Sequence, residues 1–158
     1  MMGFNILNTT YPALENINFL YSLLLQGKSQ YEQIATNIAE KELRRTVLTV
    51  AQQNKQYSRE LFSQIESLGG IPPTVNDNTL ETGIPESHFN NNNEILAFCK
   101  MNEKKMVTEY RKLLNGPLLY KDLREILEYQ LKGISYSFAQ LKLLYSLNSC
   151  SPAIVNQT

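Results

Sequence analysis

The sequence contains one histidine, two cysteines and no tryptophan in 158 residues. Imidazole is the commonest transition-metal ligand and the usual general base, so a single histidine excludes most metal and acid–base constellations. Cys99 and Cys150 form no C-x-x-C pair and supply neither a disulfide framework nor a zinc site. They read as two reduced thiols of a cytosolic protein; the alternative is a disulfide pinning the C-terminal tail to the third helix. An excess of either charge is also missing, with 15 Lys+Arg against 15 Asp+Glu. A nucleic-acid binder needs a basic stripe to displace phosphate counterions, and a polybasic membrane anchor needs a similar excess. The longest apolar stretch, Phe19 to Leu25, is broken by Ser22 and falls short of the ~20 residues that cross a bilayer. Met1 to Tyr11 lacks the pattern of a signal peptide, so a soluble, cytoplasmic protein is expected. P-loop, G-x-G-x-x-G and G-x-S-x-G patterns are absent, which removes support for nucleotide and acyl-transfer chemistry.

What is present is helical periodicity, in a chain of a length suited to one domain with its own core. After an N-terminal extension, 1–12, the first segment runs from about Ala13 to Ile38, with Thr10 as cap and Pro12 near the first turn. Its 3,4-spaced stripe is Leu14, Ile17, Tyr21, Leu24, Lys28, Tyr31, Ala35 and Ile38. The second segment, about Lys41 to Leu68, reads Leu43, Val47, Val50, Asn54, Tyr57, Leu61, Ile65, Leu68, and Gly69-Gly70 followed by Pro72-Pro73 stops it. Ala39-Glu40-Lys41 contains neither Gly nor Pro. A tight reversal is nevertheless predicted there, because a fused helix would place Glu42 and Arg45 on the apolar face and project far beyond so small a domain.

The third segment spans about Asn93 to Leu114, with Ile95, Leu96, Cys99, Glu103, Met106, Tyr110 and Leu113 on one face, and ends at Asn115-Gly116-Pro117. The fourth, about 118–147, carries Leu123, Leu127, Gln130, Ile134, Phe138, Leu141 and Tyr145. Residues 148–158 are polar, contain Pro152 and read as a frayed tail. Short first and third links make antiparallel neighbours. The crossover, 69–92, reaches about 80 Å when extended, against about 40 Å for a helix of this length, so it can return the chain along the whole bundle. Helices two and three can then run parallel, and two antiparallel hairpins joined by one long crossover make an all-α, ferritin-like four-helix bundle.

Each stripe carries a polar residue near mid-helix: Lys28, Asn54, Glu103 and Gln130, with Glu32 one turn after Lys28 and Tyr57 one turn after Asn54. Polar groups buried at one level must satisfy one another or coordinate something. Ferritin-like di-metal proteins use this level, with one Glu from each of two helices and Glu-x-x-His from each of the other two. Here the corresponding stretches are Asn54-Lys55-Gln56-Tyr57 and Gln130-Leu131-Lys132-Gly133, and Glu103 and Glu32 are the carboxylates near the right height. Two carboxylates, two amides and an ammonium suit a divalent metal poorly. The expectation is a degenerate metal site: a structural, hydrogen-bonded polar layer of Lys28, Glu32, Asn54, Tyr57, Glu103 and Gln130, with no catalytic residue, no metal and no cofactor.

Several segments together carry a family resemblance: Gly27-Lys28-Ser29-Gln30-Tyr31-Glu32, Gln52-Gln53-Asn54-Lys55-Gln56-Tyr57, Leu68-Gly69-Gly70, Asn93-Glu94-Ile95-Leu96, Cys99-Lys100-Met101-Asn102-Glu103, Tyr110 and Tyr129-Gln130-Leu131. From about Leu14 to Leu147 the chain resembles the bacterial ferritin-like bundles known as domain of unknown function family 2383. The resemblance implies a four-helix ferritin-like fold in a bacterial cytoplasm and supplies no catalytic residues. The chain departs from it in a crossover without tryptophan and in Phe138, where relatives tend to have a histidine.

Other features have plain readings. His88 stands alone in the crossover, where nothing nearby completes a site. The asparagines from Asn90 to Asn93 cap the third helix. Most tyrosines and phenylalanines fall on the buried stripes and pack the core, without the basic groove of a nucleic-acid platform. Lys41, Arg44 and Arg45, interleaved with Glu40 and Glu42, read as a solvated face with i,i+4 pairing. Leu20, Leu23 and Leu24 with Leu143, Leu144 and Leu147 make the outer helices apolar over more than one stripe, which predicts a homodimer. The functional expectation is a non-catalytic structural, interaction or stress-associated protein. The alternatives are a metal-binding or oxidoreductase protein using Glu32 and Glu103, and a small-ligand bundle recognised by ligand-dependent thermal stabilisation.

Overall fold

A computed structural model describes residues 13–74, 91–116 and 120–157; of Asn92 and residues 148–157 it describes the backbone alone. Four α-helices account for nearly all of these residues: α1 (Ala13–Ala35), α2 (Lys41–Ser67), α3 (Asn92–Asn115) and α4 (Lys121–Gln157). The predicted cap at Thr10, Pro12 near the first turn, the crossover from 75 to 90 with His88, and Pro117 with the predicted start of the fourth helix at 118 lie outside the described residues.

The reversal without glycine or proline is made by side chains. The last turn of α1 tightens into bonds from Thr36 N–H to Gln33, Asn37 N–H to Ile34 and Ile38 N–H to Ala35, so the α-helix stops at Ala35 rather than Ile38. Glu40 then caps α2 by accepting the Leu43 N–H at 2.6 Å, and Arg44 reaches back to donate to the Ile38 carbonyl at 3.1 Å. Arg44 is therefore a clip, not a member of the expected i,i+4 charge ladder; Arg45 pairs with Glu42 at 3.9 Å across three residues. The second hairpin repeats the device. Lys121-Asp122-Leu123-Arg124 opens α4 as Lys41-Glu42-Leu43-Arg44 opens α2, and Arg124 donates to the Leu114 carbonyl at 2.9 Å.

Leu68-Gly69-Gly70 ends α2 as the sequence predicts. Gly69 takes a φ of 82°, which a side chain would strain, and Gly70 N–H bonds to the Ile65 carbonyl at 2.9 Å, satisfying a helix-end acceptor. Asn91 caps α3 by accepting the Glu94 N–H at 2.9 Å. At the far end α4 continues ten residues beyond Leu147, where a frayed tail was expected. Residues 148–158 contain no glycine to stop the helix, and the helix runs through Pro152, which removes one backbone hydrogen bond.

The helices pack as α1 with α2, α3 with α4, α2 with α4 and α1 with α3. Chain direction follows from the bonds between them: Gln53 of α2 meets Gly133 of α4, and Gln64 meets Tyr120, so these two helices are antiparallel. Each hairpin is antiparallel as well, so α2 and α3 run the same way on opposite corners. Across the other diagonal the Tyr31 and Phe138 rings meet at 6.2 Å.

The α4 stripe is buried at every predicted position from Leu123 to Tyr145, and the α2 stripe from Leu43 to Ile65. In α1 the buried face is wider, with Leu20, Leu23 and Leu24 all inside because the helix is covered by α2 and α3 together. That removes α1 from the argument for a dimer; Leu143 and Leu147 are exposed.

Candidate functional site

The six polar residues expected at mid-bundle do not form one layer. Lys28 and Glu32 form an ion pair at 3.5 Å along the flank of α1, their side chains 28% and 44% exposed. Glu103 of α3 pairs with Lys142 of α4 at 3.0 Å, on the bundle's edge. Asn54, Tyr57 and Gln130 are buried. Among the described residues no three of His, Cys, Asp and Glu are grouped so as to hold a metal ion.

Two glycines explain where the inner polar groups go. Gly27, not Lys28, is the buried residue of α1 at this height, and a Cβ there would collide with the Asn54 amide nitrogen. On α4, a Cβ at Gly133 would collide with the Tyr57 hydroxyl and stand 3.2 Å from Gln53 Nε2. The polar side chains of α2 thus occupy notches in both neighbours. Gln53 Nε2 donates to the Gly133 carbonyl at 3.2 Å and to the Tyr57 hydroxyl at 3.4 Å. Gln53 Oε1 is buried and meets no hydrogen-bond donor among the described residues.

Gln130 is the centre of the best-satisfied network. It is fully buried; its Oε1 accepts from the Tyr110 hydroxyl at 2.6 Å, and its Nε2 donates to Glu60 Oε1 at 2.9 Å and to the Tyr57 carbonyl at 3.3 Å. Both ends of the amide are in use, which fixes its orientation. Burial holds the Tyr110 phenol well above its ordinary range, and the nearby Tyr57 and Glu60 add to the effect, so Tyr110 stays a neutral donor. Tyr57 is pushed up to about 12 by burial, Tyr129 and Glu60, with the Gln53 bond opposing. Its ring meets that of Tyr129 edge-on at 5.9 Å.

A second cluster joins α1 to α3. Asn102 Nδ2 donates to the buried Tyr31 hydroxyl at 2.9 Å, and Cys99 lies against the same group. Burial pushes the free Cys99 thiol up to about 12, outweighing its bond with Tyr31. A neutral, buried thiol is a poor nucleophile and a poor metal ligand.

The sequence reading did not single out Glu60, Gln53, Tyr110, Tyr31 or Asn102 as members of a polar site. Tyr110 and Tyr31 were legible as buried, and a buried phenol needs a hydrogen-bond partner, which is the signal that points to them. The inner polar groups are therefore mostly phenols and amides bound to one another, with the Glu60 carboxylate at the partly exposed margin and Gln53 Oε1 meeting no donor among the described residues, an arrangement suited to fixing helix alignment. No helix among the described residues is long and apolar enough to cross a membrane. Comparisons with protein-family models, with curated proteins and with solved structures find no match for the chain.

Proposed function

We propose that this protein is a ferritin-like four-helix bundle, akin to domain of unknown function family 2383, with hydrogen-bonded phenols and amides at the level where di-metal relatives carry ligands. Its role in this reading is structural, interactive or stress-associated in a bacterial cytoplasm, and not catalytic. The observation that carries it is the Gln130 network. A divalent metal between four helices needs several anionic ligands. Here α2 and α4 direct Asn54, Tyr57 and Gln130 inward, and both ends of the Gln130 amide are bound by protein groups. The two hairpins, with α2 parallel to α3, supply the ferritin-like part of the reading.

The experiment is elemental analysis of the purified protein before and after dialysis against iron, manganese or zinc. Substoichiometric metal is expected throughout. Stoichiometric metal that Glu103→Ala abolishes would overturn the reading in favour of a carboxylate site involving Glu32 and Glu103.

A homodimer belongs to the same proposal. Tyr129, Tyr136, Leu143 and Leu147 are each more than half exposed on α4, the first three at seven-residue spacing that suits a second helix. Light scattering of wild type against Tyr136→Glu/Leu143→Glu tests it: a dimer that the variant converts to monomer is expected, and a wild-type monomer rejects it.

A further inference from the structure

The outer surface between α1 and α2 carries a groove that the polar interior does not use. It has a volume of about 390 Å³ and is lined by Tyr21, Leu25, Lys28, Lys55, Arg59 and Phe62, with Ser58 and Ser63. That volume lies within the range of small-molecule sites. Because the two helices are antiparallel, the lining is ordered along the groove. Tyr21 faces Phe62 at one end, with ring centroids 6.1 Å apart, and Leu25 follows. Lys28 and Lys55 stand at the other end, with Arg59 between. From Tyr21 to Lys28 is seven residues of helix, a rise of about 10 Å.

The charges point one way. Lys28 has Glu32 on its flank, whereas Lys55 and Arg59 make no ion pair among the described residues. The carboxylate nearest in sequence, Glu60, is engaged on the opposite side of α2 by Gln130 and Gln56. Lys55 beside Lys28 at one end, with Arg59 one turn nearer the Tyr21–Phe62 pair and neither Lys55 nor Arg59 ion-paired among the described residues, makes the trough complementary to a molecule with one anionic end and one apolar end. The Ser58 hydroxyl donates to the Lys55 carbonyl at 2.7 Å, which leaves its oxygen as an acceptor only.

We infer that the α1–α2 groove binds a small anionic amphiphile, with its acidic head between Lys28, Lys55 and Arg59 and its apolar body against Leu25, Tyr21 and Phe62. The length of the trough suits a chain or fused-ring body of about 10 Å, such as a medium-chain carboxylate. Recognition needs the charge and the apolar body together: the cations alone are exposed enough to be screened, and the floor alone would take any apolar molecule.

The test is fluorescence titration of the full chain with anilinonaphthalenesulfonate, an aromatic anion of the required kind, followed by competition with octanoate, octanol and acetate. Saturable binding is expected, displaced by octanoate and not by octanol or acetate at equal concentration. Lys55→Gln/Arg59→Gln should weaken the dye by about tenfold or more, the loss expected for charge-assisted contacts. Far-UV circular dichroism verifies its folding, and Arg59→Gln alone, at an exposed position, gives an intermediate loss. Equal displacement by octanol, displacement by acetate, or unchanged dye affinity in the variants would overturn the proposal, as would absence of dye binding.

Discussion

Replacing Gln130 by leucine keeps the side chain's approximate size and deletes both of its polar ends. Three partners are affected unequally. The Tyr57 carbonyl lies within α2 and keeps its helical role, and Glu60 is only partly buried, so water can replace the amide. Tyr110 cannot be rescued: its hydroxyl is fully buried and donates to Gln130. Stranding one buried donor costs about 1–3 kcal/mol, and losing a bond to a carboxylate adds to it, so a destabilisation of about 2–3 kcal/mol is expected. Tyr110→Phe alone strands the amide oxygen and should cost about 1–2 kcal/mol. The double variant Gln130→Leu/Tyr110→Phe removes donor and acceptor together, and should be more stable than Gln130→Leu despite carrying one more substitution. Urea denaturation reads the series, with an unchanged slope and a shifted midpoint marking a true stability change. If the double variant loses the sum of the two singles, the network is not coupled; if Gln130→Leu equals wild type, Tyr110 is not held as described.

Three further outcomes follow from the same contacts. Gly133→Ala should destabilise by about 1–3 kcal/mol despite alanine's higher helix propensity, because the new methyl displaces the Tyr57 hydroxyl; adding Tyr57→Phe should restore part of the loss, and a stabilised Gly133→Ala would refute the notch. Alkaline stability should fall from about pH 9. Cys99 and Tyr57 have folded values near 12 against 9.0 and 10.0 when unperturbed, so the unfolded chain releases those protons first and stability declines as pH rises through that window. Tyr57→Phe combined with Cys99→Ala should flatten the slope of denaturation midpoint against pH, and a slope equal to wild type would show that neither group is buried as placed. In a Cys150→Ser background, Cys99 should react with a disulfide reagent slowly when native and fast in urea; equal rates would contradict its burial.

The helices were legible because 3,4 periodicity, capping residues and the Gly69-Gly70 stop are local properties. The error at Lys28 was local too. Leu24 to Tyr31 can be bridged through Lys28 or through Gly27, and both routes keep helical spacing. A count of side-chain polarity selects Lys28 as the intruder, whereas the buried position is the residue without a side chain, since only there can Asn54 approach. Glu103 shows the complementary problem: adjacent Asn102 reaches Tyr31 inside, while Glu103 turns to Lys142 at the edge, a difference of 100° around the helix that pattern alone cannot assign. The reversal at residues 36–40 was inferable from length, but its mechanism, the Glu40 cap and the Arg44 clip, depends on where a carbonyl six residues back ends up. The repeated Lys-acid-Leu-Arg at the start of α2 and α4 acquires meaning only once both arginines are seen closing a hairpin.

Net charge proved a coarse guide for a related reason. Equal numbers of acids and bases argue against a polyanion partner only if the two signs are mixed over the surface. Near the middle of α2 they are separated by face: Lys55 and Arg59 turn toward α1 and join Lys28, while Glu60 turns toward α4 and lines a groove with Asp122 and Glu125. At physiological ionic strength fields between exposed charges fade over about 8 Å, so a small ligand in either groove experiences that groove's own sign rather than the sum over the chain. A duplex or a membrane, by contrast, spans many such lengths and meets both signs. The same neutrality that disfavours a large polyanion is therefore compatible with selective capture of a small one in the groove where α2 turns Lys55 and Arg59 toward α1.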